Sequence, residues 1–204
     1  LRVLKEANLI AAEDTRNTRK LLARHDIHTP LTSYHDHNKV QKIPTIIEAL
    51  GEGDVALVSD AGTPGISDPG LELVQAAIYK GISVVSIPGP SAVVTALAAS
   101  GIPAEHFLFL GFLPRKKGER QGLLLSVSAL PYTIVLFEAP HRLQRTLADL
   151  RDVLGDRPMA VVREATKLYE EVFRGTMSQC QEYFTAPRGE FTLVIGGRPR
   201  RGAP

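Results

Sequence analysis

A chain of 204 residues with 44% hydrophobic composition is long enough and apolar enough to bury a core, which excludes an intrinsically disordered polymer. Its 24 basic and 22 acidic side chains nearly cancel, so no global field marks it as a nucleic-acid binder, and any such contact must come from local clustering. A single cysteine, Cys180, excludes an intramolecular disulfide framework and fits a reducing, cytoplasmic setting, and no apolar run approaches the roughly 20 residues that cross a bilayer.

The chain opens on Leu-Arg-Val-Leu-Lys-Glu-Ala, which reads as the end of an amphipathic helix with no strand before it and suggests that something upstream is missing. Short runs of Val, Ile and Leu then alternate with helical-period segments, the habit of an α/β protein with a mostly parallel sheet. In the first half, strands are predicted at 9–12, 31–34, 55–59 and 83–87, and helices at 15–24, 40–50, 70–80 and 91–100. Gly101-Ile102-Pro103 interrupts the pattern and predicts an interdomain crossing near Ala104, giving domains 1–103 and 104–204. Beyond it, strands are predicted at 107–110, 132–137, 159–163, 169–174 and 190–195, with helices at 118–127, 143–154 and 177–184. The alternating segment at 170–174 predicts an antiparallel element in a mixed sheet.

Five strand ends carry chemistry. The segment Ser-Asp-Ala-Gly-Thr-Pro-Gly-Ile-Ser-Asp-Pro-Gly at 59–70 packs three glycines and two prolines into a rigid loop with few side chains, at the strand end where open α/β sheets bind ligands. Asp60 and Asp68 either accept hydrogen bonds from a ligand or cap turns. Ser-Ile-Pro-Gly-Pro-Ser-Ala at 86–92 is a second such loop, with Ser91 as a helix cap; alone it reads equally as a stiffened turn. Neither loop contains G-x-G-x-x-G, and no G-x-x-x-x-G-K-[ST] is present, so dinucleotide and nucleoside-triphosphate sites are not supported.

Glu138-Ala-Pro-His141-Arg142 and Arg163-Glu164-Ala165-Thr-Lys are charged strand ends that read as an active-site rim or as ordinary capping. Ala-Glu13-Asp14-Thr-Arg16 is a third, suited to orienting substrate or to pairing on a surface helix. His35 and His37 have no further ligand in register, so no metal is expected. Arg115-Lys116-Lys117 forms a local basic patch suited to phosphates, or a solvated loop.

Taken in order, Ala-Glu-Asp-Thr-Arg (12–16), the 59–70 loop, Pro-Gly-Pro-Ser-Ala (88–92), Gly-Phe-Leu-Pro-Arg (111–115), Glu-Ala-Pro-His-Arg (138–142) and Arg-Glu-Ala-Thr-Lys (163–167) resemble the ribosomal RNA small subunit methyltransferase I family of tetrapyrrole-type methylases. The resemblance implies two α/β domains holding S-adenosylmethionine between them, a homodimer, and methylation of a cytidine ribose 2′-hydroxyl in 16S ribosomal RNA or the small ribosomal subunit, with no role for membrane or DNA. By motif position it implies cofactor contacts at Asp60, Gly62, Thr63, Ile66, Ser91 and Ala92, and at Phe137, Glu138, Ala165 and Phe191. Candidate bases are Glu13, Asp14, Glu138, His141 and Glu164, and candidate RNA contacts are Arg16, Arg115, Lys116, Lys117, Arg142 and Arg163. Family members also begin with a strand and a Thr-Pro-Ile-Gly-Asn-type loop that this sequence starts after. The competing expectations are a tetrapyrrole or protein-histidine methyltransferase on the same scaffold, and a non-catalytic RNA-binding protein.

Overall fold

A computed structural model describes residues 1–199; residues 200–204, the end of the expected second domain, lie outside the described part. The chain divides between Pro90 and Ser91 into two compact units.

The first unit holds a parallel three-stranded sheet of order β2-β1-β3, built from β1 (Leu9–Ala12), β2 (Leu31–Ser33) and β3 (Val55–Val58). Successive side chains of a strand face opposite ways, so β1 seeds two cores. Ile10 and Ala12 pack with Leu22 of helix α2 (Thr15–Arg24), together with Ala7 and Ile27. Ala11, on the other face, packs with Tyr34, with Ile46 of α3 (Lys39–Ala49) and with Leu73 of α4 (Leu71–Tyr79). A short helix, α1 (Arg2–Glu6), precedes β1.

The strand expected at 83–87 is not formed. Val84, Val85 and Ile87 are 47%, 74% and 61% exposed, and the segment joins no ladder. Its β-branched composition supplies propensity, but a strand exists only where a neighbour takes its backbone groups, and neither β2 nor β3 pairs with it.

The second unit begins with α5 (Ala92–Ser100), closed by Gly101 in the left-handed conformation at φ 73°. A five-stranded mixed sheet follows, of order β4-β5-β8-β6-β7: β4 (Phe107–Phe112), β5 (Thr133–Glu138), β6 (Pro158–Arg163), β7 (Glu171–Thr176) and β8 (Phe191–Ile195). Only β4 and β5 run parallel; β7 pairs antiparallel with β6, as the alternation at 170–174 predicts. Ile134, Leu136, Met159, Val161, Leu193 and Ile195 face α6 (Lys117–Val127), α7 (Pro140–Leu154) and α8 (Met177–Tyr183). The α7 stripe Leu143, Leu147, Leu150 and Leu154 has the helical spacing that buries one face. Cys180 of α8 lies in this core, where burial pushes its thiol up to about 12. The opposite sheet face, Val135, Ala160, Val162 and Val194, packs on Val93, Ala96 and Leu97 of α5. Helix α5 therefore belongs with the second sheet, and the division falls ahead of it rather than at the Ala104 junction expected from the glycine and proline.

Candidate functional site

In the first unit the loop after β3 folds back on itself. Gly62 and Gly65 lie at φ 77° and 82°, and Ser67, a non-glycine residue, at φ 65°. A left-handed serine is strained by about 1 kcal/mol or more and marks a backbone fixed by its surroundings. Gly70 sits so close to the start of the loop that a Cβ there would lie 2.7 Å from the Gly65 nitrogen and 3.1 Å from the Pro64 carbonyl carbon. The result is a bare ridge of backbone with Thr63 and Ile66 exposed upon it.

Three carboxylates border this ridge. Glu13, just past β1, accepts a hydrogen bond from the Asp60 backbone N–H through Oε2 at 3.1 Å. Asn17 Nδ2 donates to Asp60 Oδ2 at 3.3 Å. Asp68 has its pKa raised to about 6, chiefly by partial burial and then by the charges of Glu13 and Asp60. A charge that burial and two like neighbours disfavour is relieved by a cation or by hydrogen-bond donors. Because the folded pKa lies above the ordinary 3.8, the native state holds more protons than the unfolded chain between about pH 4 and 6, so Asp68 lowers stability as pH rises through that window. Asp68→Asn is expected to raise the melting temperature at pH 7 and to lose that advantage near pH 4. Parallel thermal melts at the two pH values check this; an equal gain at both would show that the carboxylate charge is not the cause.

Asp14 has a different job. Its Oδ1 caps α2, accepting from the Arg16 backbone N–H at 2.8 Å, and its Oδ2 pairs with Arg16 Nη2 at 2.7 Å. That side-chain pairing, with the backbone bond, lowers its pKa to about 2, which leaves a poor proton acceptor. The Arg16 side chain remains 83% exposed. His35 and His37 meet edge to face at 6.0 Å, and among the described residues no group of three or more metal-binding side chains is assembled.

In the second unit Ser91 caps α5, accepting from Val94 N–H, with Ala92 exposed beside it. Glu138 and Arg142, expected at the rim as cofactor, base or RNA contacts, are instead buried together. Arg142 Nε stands 3.2 Å from Glu138 Oε1, an ion pair off the hydrogen-bond line. That oxygen also accepts from Ala139 N–H at 2.8 Å, while Oε2 accepts from Thr146 Oγ1 at 2.6 Å. Their spacing of four places both on the inward side of the β5–α7 junction, where a bare charge would be costly and mutual pairing is the remedy. His141, between them, is exposed.

Glu164 likewise has partners: Oε1 accepts from Glu190 N–H at 2.9 Å and from Lys167 Nζ at 3.0 Å, and the lysine bond in particular lowers its pKa. Arg163 pairs with Glu171 at 3.0 Å. Phe137 packs edge to face on Phe109 at 4.9 Å, and Ala165 joins the same cluster. Phe191 is 2% exposed, turned into the core and paired in the sheet with Glu138 on one side and Arg163 on the other, so the cofactor contact expected there meets a buried residue. Arg115, Lys116 and Lys117 are exposed.

Sequence reading missed Arg120 and Asp149, a buried ion pair 29 residues apart in the chain. The signal was there: Arg120 shares the buried face of α6 with Leu124, and Asp149 lies beside Leu150 on the buried stripe of α7.

Fold and loop together define a methylase scaffold. The profile of the Tetrapyrrole (Corrin/Porphyrin) Methylases matches residues 1–181. At finer grain, the chain belongs to the ribosomal RNA small subunit methyltransferase I family. The protein of that name from Halalkalibacterium halodurans is 49% identical over 100% of this chain and 72% of its own length. Those from Synechocystis and Thermotoga maritima are 49% and 46% identical over 98% and 97% of this chain, and over 74% and 90% of their own. Among solved structures, a cobalt precorrin-4 methyltransferase superposes with a TM-score of 0.67 at 17% identity, covering 96% of this chain and 86% of that one. A Thermus thermophilus uroporphyrin-III C-methyltransferase, complexed with S-adenosylhomocysteine, gives 0.65 at 19% identity, covering 96% and 88%. At such identities these two neighbours speak for the fold.

Proposed function

We propose that this chain transfers a methyl group from S-adenosylmethionine to the ribose 2′-hydroxyl of a cytidine in small-subunit (16S) ribosomal RNA. The observation that carries the reading is identity near one half, over the whole chain, with proteins named ribosomal RNA small subunit methyltransferase I. On this reading the protein works in the cytoplasm, as a homodimer, on the RNA or on the assembled subunit.

The donor set fits the cofactor. Bare backbone at Gly62 and Gly65 lets a flat adenine ring approach, and the carboxylates of Asp60 and Asp68 match the ribose hydroxyls and the α-ammonium. Thr63 and Ile66 are the further contacts proposed for the first unit, and Ser91, Ala92, Phe137 and Ala165 those proposed for the second. When bound, S-adenosylmethionine supplies an electrophilic methyl carbon.

The chain's own residues align the ribose oxygen and keep water away, which accounts for much of the acceleration in a direct transfer. As the hydroxyl attacks, its proton needs an acceptor. Of the five candidate bases, Asp14, Glu138 and Glu164 are held in ion pairs, so the role is proposed for Glu13, which accepts only from a neutral backbone N–H, or for His141. Arg16, Arg115, Lys116 and Lys117 are the proposed phosphate contacts; Arg142 and Arg163 are turned to other work.

The test is incubation of undermethylated small subunits with methyl-labelled cofactor, followed by mapping of the modified nucleotide. Label on a cytidine 2′-oxygen is the expected result. Label on a base, on protein or on a tetrapyrrole offered in competition, or cofactor binding with no transfer, rejects the proposal.

A further inference from the structure

Two buried arginines converge on one short stretch of backbone. Between β4 and α6, the carbonyls of Leu113, Pro114 and Arg115 point inward in succession. Arg142 Nη2 donates to Leu113 O at 2.6 Å and to Pro114 O at 3.4 Å, and Arg120 Nη1 donates to Pro114 O and Arg115 O, both at 3.0 Å. Each guanidinium is neutralised from behind. Arg120 Nε and Nη2 bond Asp149 Oδ2, the former at 2.7 Å, and Gln121 Nε2 holds the other Asp149 oxygen at 2.9 Å. Glu138 faces Arg142, itself held by Thr146. The side chains of all four charged residues are at most 8% exposed.

The arrangement uses what arginine alone provides: a planar fork that meets a carboxylate on one edge and carbonyls on another. Three successive carbonyls fixed inward set the orientation of the peptide planes between them. Leu113, 2% exposed, anchors the start of the stretch. Immediately beyond lie the exposed Arg115, Lys116 and Lys117, with Lys116 checked only by an exposed pairing to Glu119 at 3.1 Å. A flexible loop carrying three cations loses conformational entropy on meeting phosphate; one held in place beforehand loses less.

We propose that Arg120 and Arg142 are positioning residues for RNA: with Asp149 and Glu138 they clamp the 113–115 backbone so that Arg115, Lys116 and Lys117 meet the phosphates of the substrate in a fixed geometry. The inference rests on the small-subunit RNA reading above. It assigns the conspicuous Glu-Ala-Pro-His-Arg motif, in part, to holding a neighbouring loop rather than to touching cofactor.

Arg142→Lys tests it, since lysine keeps the charge beside Glu138 but cannot reach both carbonyls. The KM for small subunits is expected to rise about tenfold, the scale of one charge-assisted hydrogen bond, while kcat and the Kd for S-adenosylmethionine stay at wild-type values. In a chain already carrying Arg115→Ala, Lys116→Ala and Lys117→Ala, the same substitution is expected to change KM little, because the clamp acts through those side chains. Arg120→Lys should repeat the result and serves if Arg142→Lys does not fold. An unchanged KM, an equal rise with and without the patch, a joint fall in kcat and cofactor affinity, or failure of both variants to fold overturns the clamp. Wild type that does not methylate small subunits at all rejects the functional reading and the clamp with it, whereas active wild type with any of those four results rejects the clamp alone.

Discussion

Gly70→Ala is expected to lower affinity for S-adenosylmethionine by about ten- to a hundredfold while leaving the sheets intact. The new methyl group has nowhere to go: its carbon would sit 2.7 Å from the Gly65 nitrogen, and both neighbours are backbone atoms of the same tight loop. The loop must open, and Gly65, itself at φ 82°, must leave the position that makes the ridge bare. The magnitude corresponds to the ~1–3 kcal/mol typical of local backbone strain, discharged here into the geometry of the binding loop. Isothermal titration with the cofactor reads the loss and far-ultraviolet circular dichroism checks the fold. Wild-type affinity in a folded Gly70→Ala protein would show that the ridge does not touch the cofactor.

Arg120→Met is expected to be among the most damaging single substitutions in the second unit. It strands the Asp149 carboxylate, 4% exposed, against α6 and α7 with only Gln121 for company. Breaking a buried pair by removing one member costs about 3–5 kcal/mol, because the survivor remains charged and desolvated. In a chain of this size that lowers the melting temperature by roughly 10 °C. The double variant Arg120→Met with Asp149→Leu should recover most of the loss, since two apolar groups of similar volume leave no buried charge stranded. A double variant as unstable as the single would locate the damage in the freed Pro114 and Arg115 carbonyls instead of the stranded charge. Thermal melts of the three proteins separate the cases.

Periodicity made the sheets legible because burial writes it directly into the chain: β1 reads through Ile10, Ala11 and Ala12, and α7 through Leu143, Leu147, Leu150 and Leu154. The glycine-rich loop was legible for a related reason, as positive φ at Gly62 and Gly65 demands residues without a Cβ. The segment at 83–87 misled because propensity is local and pairing is not. Val93, Ala96 and Leu97 announce a buried face on α5, but nothing in them names the sheet that will cover it.

Charged residues were the hardest to read. Glu138 and Arg142 have the composition of an active-site rim and the burial of a core, and only the carbonyls of Leu113 and Pro114, far away in sequence, distinguish the two. Asp14 and Glu13 are neighbours with opposite fates, the first bound to Arg16 as a helix cap and the second turned toward Asp60. A sequence lists such groups side by side, while their chemistry is set by whichever partner arrives from another element.

The thiol of Cys180, sealed in the second core and held protonated far above neutral pH, has a practical consequence. Only the thiolate attacks maleimides and iodoacetamides, so the native protein is silent to them. A cysteine introduced at an exposed site such as Lys117 therefore becomes the sole point of attachment for a fluorophore or spin label. The basic loop can be watched by emission or resonance as it meets ribosomal subunits, without first engineering the protein free of its own sulfur.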